Sequence, residues 1–297
     1  MSLVINHNMM AANTANALNA HYGNLSTSTQ RLSSGLRINS AADDAAGLAI
    51  RELMRTDIKA LQQGVRNAND AISLIQTADG ALGVIDEKLI RMKELAEQAA
   101  TGTYDSTQRL MIESEYQQMA SEITRIANAT DFNGIHLLNG NLSSEVHNGK
   151  GISSTGKLKI HFGSGNDSAE DYYYIRIGNC TASALGLGNA GDINNAGYCI
   201  STQEAAQKAL VAINNAVISK DNIRALLGAT QNRLENTITN LTTQAENLQT
   251  AESRISDVDV ATEMTEFVRN QILTQSAVAM LSQANSLPKM AMQLIGG

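Results

Sequence analysis

The residues best equipped for chemistry lie in the middle of the chain. Residues 186–191 read GLGNAG, which satisfies the G-x-G-x-x-G pattern whose glycines let a backbone approach a pyrophosphate. That chemistry needs a strand before the glycines and an apolar helix after them. Here the residues after Gly191 are DINNAGYC, so the segment reads as a loop. His136, His147 and His161 fall in the same region, but their spacing fits no metal-ligand motif, and neither H-E-x-x-H, a P-loop, G-x-S-x-G nor C-x-x-C occurs. Cys180 and Cys199 flank the glycine loop and do not settle the redox compartment. Nothing supports catalysis, and no cofactor or metal is implied.

Composition narrows the class. The 297 residues are 43% apolar, enough for a real core, yet include no Trp and a single proline, Pro288. Long helices can therefore run uninterrupted. A net charge of -7, a pI near 5.3 and the absence of any Lys/Arg cluster argue against nucleic acid or an anionic membrane as main partner. No apolar run approaches the roughly 20 residues that span a bilayer. The N-terminus also lacks the basic n-region and apolar stretch of a cleavable signal peptide, which alone would suggest a cytosolic protein.

The elements that must position these residues are helical. Residues 1–30 contain no Asp, Glu, Lys or Arg, and residues 271–297 contain only Lys289. An exposed helix normally carries charge on its solvent face, so uncharged polar ends suggest helices packed by protein on several sides. A low-complexity tail is the alternative. Apolar spacing at Ala11, Thr14, Leu18, Leu25 and Leu32 favours a helix.

From residue 61 a heptad seam runs through Leu61, Val65, Ala68, Ile72, Ile75, Leu82, Leu89, Met92, Ala96 and Ala99, interrupted by Asp79 and Asp86. It predicts a helix of about 40 residues, ~60 Å long. After a break at Gly102, a shorter seam of Ile112, Tyr116, Met119, Ile123 and Ile126 comes next, with Asp105 as N-cap. The third seam is Leu227, Leu234, Ile238, Leu241, Ala245, Leu248, Ala251 and Ile255, preceded by a capping-box signal from Ser201 to Glu204. Three such helices can bury their seams only against one another. Residues 134–199 hold 12 of the 22 glycines and two strand-like runs, Lys157 to Phe162 and Tyr172 to Ile177, joined by a turn-rich linker, which predicts a β-hairpin. The expected fold is mainly α: a long antiparallel helical rod, a three-helix bundle or coiled coil, with a small β-hairpin region and a paired terminal-helix stem. The expected division is 1–42 plus 257–297 as stem, 43–135 plus 200–256 as rod, and 136–199 as the hairpin and loop region, with no large outer domain.

The residues themselves then resemble a known family. QRLSSGLRINSAADDAAGLAI (Gln30 to Ile50), DFNGIHLLNG (Asp131 to Gly140) and the run from Ala251 to Ile295 closely resemble bacterial flagellin. The matches cover roughly the first 140 and last 95 residues, while the glycine-rich centre is similar only in style.

This resemblance implies a structural subunit that self-assembles as a homopolymer into the flagellar filament for motility. Its terminal helices would line an inner tube and its helical rod would form a second shell. A hook–filament junction protein, which shares related terminal helices, is the alternative. Export unfolded through the flagellar type III apparatus would explain the missing signal peptide and give an extracellular localisation. Implied partners are an export chaperone, a capping protein, hook-associated proteins and a host Toll-like receptor, with no nucleic acid and no membrane. Uncharged side chains such as Asn13, Asn16, Gln271 and Gln275 would face a wet channel or bond between helices.

The receptor surface of the family corresponds to the stretch LIRMKELAEQ, where Arg91 and Leu95 match, together with Glu115 in IESEY. Arg91 and Leu95, four apart, would share a helix face that also serves assembly. Asp43 and Asp44 would either pair with an arginine such as Arg37 or stand as a solvated acidic pair at a helix start. In an extracellular filament Cys180 and Cys199 would either close a 20-residue loop as a disulfide, worth about 3 kcal/mol, or remain partly buried thiols. The short centre implies a thin, smooth filament unless Ser or Thr residues in 142–201 carry glycans. Ser256 departs from the family, where a charged residue commonly comes after SRI.

Overall fold

The computed structural model describes residues 7–144, 156–168, 170–188 and 197–295. Among these residues it has five helices, α1 (Met9–Ser34), α2 (Ala45–Ala100), α3 (Ser106–Ala129), α4 (Gln203–Ser256) and α5 (Val260–Ile295). The strands are β1 (Asp131–Phe132), β2 (Ile135–His136), β3 (Leu158–His161) and β4 (Tyr172–Ile175). The chain divides into two units, Met1–Ile58 with Glu246–Gly297, and Lys59–Ala245.

Caps set the helix boundaries. Asn8 caps α1, whose far end stops at Gly35 in the left-handed conformation, φ 72°. Asp44 accepts from the Gly47 N–H at 2.9 Å and so caps α2. At 56 residues α2 is longer than the seam suggested, because nothing between Ala45 and Ala60 breaks a helix. The segment from Ala45 to Ala60 is therefore part of the long helix. Asp105 caps α3 as expected, completing a capping box with Gln108. For α4 the cap lies one residue later than the sequence suggested. Thr202 Oγ1 accepts from Ala205 N at 3.2 Å, while Glu204 reaches forward to Lys208 at 2.8 Å.

In the unit Lys59–Ala245, α2, α3 and α4 share one core. On α2 the fully buried line runs Leu61, Ala68, Ala71, Ile75, Ala78, Leu82, Ile85, Leu89, Met92, Ala96 and Ala99, in steps of mostly three and four. Val65 and Ile72, expected at its centre, are only half-buried on its flank. Small side chains take the centre here because other backbone comes close: a Cβ added at Gly64 would lie 1.9 Å from the Phe162 carbonyl oxygen. From α4, Leu227, Leu234 and Leu241 are buried as predicted, whereas Leu248 and Ile255 are half-buried in the other unit. Arg224 pairs with Asp79 at 2.6 Å and Lys220 with Asp86 at 2.6 Å. Rising α2 numbers meet falling α4 numbers, so the two helices run antiparallel.

Two hairpins complete this unit. β1 and β2 are joined by Asn133 and Gly134, both at positive φ (51° and 78°), the geometry of a two-residue type I′ turn. β3 and β4 pair antiparallel in the predicted place, with Lys159 opposite Tyr174 and Ile160 opposite Tyr173. Leu158, Ile160 and Tyr173 pack on the core, and Asn67 Nδ2 donates to the His161 carbonyl at 2.8 Å. Tyr173 lies 3.5 Å beneath the Arg233 guanidinium. Loop residues that carry no helical or strand pattern also enter the core: Leu137, Leu138, Leu142, Cys180, Leu187 and Ile200 are fully buried.

In the other unit α1 packs along α5. The chain before α2 is tied to the chain after α4. Leu36 bridges Asp257, Val258 N donates to the Gly35 carbonyl at 3.1 Å, and Arg37 N donates to the Ser256 carbonyl at 2.7 Å.

Candidate assembly surface

The terminal helices invert the usual arrangement of a surface pair. Their most buried side chains are small or uncharged: Ser28 on α1, and Asn270, Thr274, Ala277 and Ala284 on α5. The α5 positions step by three, four or seven, a heptad seam that Phe267 and Leu281 join half-buried, as Leu18, Leu25 and Leu32 are on α1. Other large apolar residues point outward. Met9, Tyr22, Val260, Met264, Val268, Ile272, Val278 and Met280 are 44% to 65% exposed in the single chain. Asn13, Asn16, Gln271 and Gln275 are exposed as well. A shallow groove of about 500 Å³ along α1 is lined by Tyr22, Leu25, Ser26, Thr29, Gln30 and Ser33. Exposed apolar side chains in this number are the mark of a contact surface for other protein.

Arginines anchor the base of the pair, and sequence reasoning had singled out only one of them. Arg31 lies 3.6 Å from Glu263, and Arg37 Nη2 donates to the Ile255 carbonyl at 2.7 Å. Arg51, buried, donates to the Ile38 carbonyl at 2.8 Å and pairs with Glu52. Neither Asp43 nor Asp44 takes Arg37. Asp44 caps α2, and Asp43 accepts from Ser40 N at 2.9 Å and Asn39 N at 3.1 Å, bonds that hold its carboxyl below the usual range. Ser256 is fully buried and its hydroxyl has no hydrogen-bond partner; a charged residue could not occupy this place as it stands.

On the other unit, the structure brings Arg91 and Glu115 together. Arg91 Nη2 and Nε donate to Glu115 Oε1 at 2.8 and 2.9 Å, and Nη1 donates to Glu94 at 2.9 Å. Ile90, Leu110 and Met111, all more than half exposed, lie on the same two helices. Leu95 does not join this surface. It is 2% exposed and belongs to the core with Met92 and Ala96, because four residues advance a helix by about 40° beyond one full turn. That is enough to carry it from the exposed face to the buried one.

The remaining candidates do no chemistry. His136 is exposed on β2, the His161 ring stacks with Tyr172 at 6.1 Å, and His147 lies outside the described residues. Among the described residues no group of His, Cys, Asp and Glu could hold a metal ion, and no helix is long and apolar enough to cross a membrane. Gly186 and Gly188 take positive φ, among the described residues no βαβ unit surrounds them, and Asn189 to Gly191 of GLGNAG lie outside the described residues. Cys180 and Cys199 are free thiols in the structure, so the loop-closing disulfide is absent. Each sulfur has another neighbour: Cys180 Sγ lies 3.8 Å from the Gly178 carbonyl and Cys199 Sγ 2.9 Å from Ser201 Oγ. Burial pushes the Cys180 thiol up to about 12, which leaves it protonated and inert.

Two buried polar anchors escaped the sequence. Tyr116 donates to the Gly197 carbonyl at 2.5 Å, and Lys220, 2% exposed, sits between Asp86 and Asp221 at 2.6 and 2.7 Å. Burial pulls the Lys220 pKa down, but the bonds to Asp221 and Asp86 outweigh it and leave the ammonium above its usual value. The one signal for Lys220 was Asp86, an interruption of the α2 seam.

Terminal helices with outward apolar side chains, beside a second unit with a well-anchored core, define a self-associating helical protein. Residues 5–143 match the bacterial flagellin N-terminal helical region, and residues 210–295 match the bacterial flagellin C-terminal helical region. The chain is 40% identical over 293 residues to the flagellar filament 33 kDa core protein of Treponema phagedenis, covering 99% of this chain and 100% of that one. It is 41% identical over 304 residues to the flagellin of Bacillus subtilis strain 168, covering 98% and 99%. A solved structure from Vibrio parahaemolyticus, described as a flagellar hook-associated protein, shares the fold at a TM-score of 0.56 and 15% identity, covering 72% of this chain and 100% of that one. The chain belongs to the bacterial flagellin family, a family of structural proteins rather than enzymes.

Proposed function

We propose that this chain is a structural subunit of the extracellular bacterial flagellar filament, polymerising with copies of itself. The outward-facing apolar side chains of α1 and α5, helices with few charged residues, carry the reading. The Treponema phagedenis relative is a filament core protein, and the alignment with it runs through both terminal helices. Burying residues 1–30 and 271–288 among copies would desolvate no charge, since neither stretch contains Asp, Glu, Lys or Arg. Export in an unfolded state, an export chaperone, a capping protein and hook-associated partners are proposals that rest on the same reading.

Electron microscopy of purified protein tests it. Long helical filaments are the expected result; short limited rings would favour the hook–filament junction instead, and a permanently monomeric protein would refute both. Terminal helices that find cover only in the polymer should also be open in the monomer. Hydrogen exchange on monomer is expected to leave residues 1–40 and 260–297 unprotected while the buried positions of α2 exchange slowly. Strong protection at both ends would defeat this account.

The Arg91–Glu115 pair supports a second role in the released monomer, recognition by a host Toll-like receptor. Both groups are well exposed and fixed relative to each other. Leu95 drops out, being core. In a cell-reporter assay Arg91→Ala is expected to reduce activation, and undiminished activation would sink this second role.

A further inference from the structure

Inside α5 stands the chain's one proline, Pro288. Proline has no N–H, so the carbonyl four residues earlier, that of Ala284, loses its helical donor. Ala284 is 4% exposed, and a buried carbonyl without a partner is costly. In the structure this carbonyl accepts a hydrogen bond of 2.8 Å from Asn8 Nδ2, 276 residues away in sequence. The other end of the same amide, Asn8 Oδ1, accepts from Ala11 N at 3.0 Å and caps α1. One side chain thus satisfies two orphaned backbone groups, an N–H left by the start of one helix and a C=O left by the proline in another. An amide can do both because it carries a donor and an acceptor on one fork; a carboxylate has acceptors alone.

We propose that Asn8 is a positioning residue that fixes the axial register of α1 on α5, and with it the surface the pair offers to neighbouring subunits. The seam itself is a poor ruler. Ala277 and Ala284 are small and two turns apart, so small side chains would meet again after a slip of two turns. The interior carbonyls of α5 around Ala284 have helical donors of their own, so a slipped Asn8 finds no free acceptor. The proline works as a notch and the asparagine as the catch that falls into it. The Arg31–Glu263 contact and the backbone ties of Gly35 to Val258 and Arg37 to Ser256 hold only one end of the pair, the whole 26-residue length of α1 away from Asn8, so the far end needs a catch of its own.

This inference rests on the filament reading. Its test is the critical concentration for seeded elongation of the full chain, compared across the parent protein, Asn8→Asp, Pro288→Ala and the double variant. Asn8→Asp keeps the cap and removes the donor, and is expected to raise the critical concentration about tenfold, the scale of one buried unpaired carbonyl. Pro288→Ala supplies an N–H to the Ala284 carbonyl, so adding Asn8→Asp in that background is expected to cost less than about twofold. An equal loss in both backgrounds, or an Asn8→Asp protein that elongates like the parent, overturns the proposal. Should Pro288→Ala fail to elongate, Asn8→Ser serves instead. It too keeps a capping oxygen without the amide fork, so it must lose as much as Asn8→Asp, and parental elongation by it overturns the proposal. Failure of the parent protein to polymerise defeats the filament reading, and this inference with it.

Discussion

Ile272→Lys is expected to abolish polymerisation at protein concentrations where the parent forms filaments, and to leave the thermal melt of the core of α2, α3 and α4 unchanged. Ile272 is 56% exposed in the single chain, so a lysine there is tolerated by the monomer. It sits on a helix whose outward side is apolar through Val268, Ile272 and Val278, surface that only another copy would cover. An ammonium buried there without a partner costs several kcal/mol, and the cost recurs at every subunit added. Sedimentation of polymer after seeding, alongside circular dichroism of the soluble protein, separates the two effects. Normal filaments from Ile272→Lys would mean that this face is not an assembly interface.

The second large effect belongs to the monomer. Gly64→Ala is expected to destabilise the unit Lys59–Ala245 by about 2–4 kcal/mol, because its Cβ would fall 1.9 Å from the Phe162 carbonyl oxygen and the obstacle is backbone rather than a flexible side-chain tip. Relief requires the β3–β4 hairpin to lift off α2, which breaks the Asn67–His161 hydrogen bond and shifts Tyr173 from beneath Arg233. Gly80 is the internal control. It lies on the same helix with open space around its Cβ position, so Gly80→Ala is expected to stabilise by up to about 1 kcal/mol. Urea midpoints for the two variants should move in opposite directions, and a neutral Gly64→Ala would show that the hairpin does not rest on α2.

Periodicity made the helices legible. Leu82, Leu89, Leu227 and Leu234 announced their burial because large apolar residues seldom keep heptad spacing except along a buried seam. The same reasoning misplaced Val65 and Ile72, since it weights size, whereas the packing at that point is set by how closely another backbone approaches; Gly64 and Ala71 hold the centre for that reason. Leu137, Leu138 and Leu187 were invisible as core because loops have no period to read. At the candidate surface, absence of charge in the first 30 residues pointed to assembly, and the outward apolar side chains of α5 agree with it. Leu95 was misassigned because spacing of four places two residues near each other but cannot say which side of the boundary each falls on. The link from Asn8 to Ala284 had no sequence signature, since it joins residues 276 apart through a bond that only the packed pair of helices creates.

The outward side chains of the terminal pair include five methionines, Met9, Met10, Met264, Met280 and Met290, each between 44% and 65% exposed in the single chain. A thioether in contact with solvent is open to oxidants, and the resulting sulfoxide is polar, chiral and ill suited to an apolar interface. The free subunit therefore carries a chemical clock. If the filament reading holds, a subunit oxidised before its neighbours cover it would lose competence without losing its fold, and one placed promptly would be shielded.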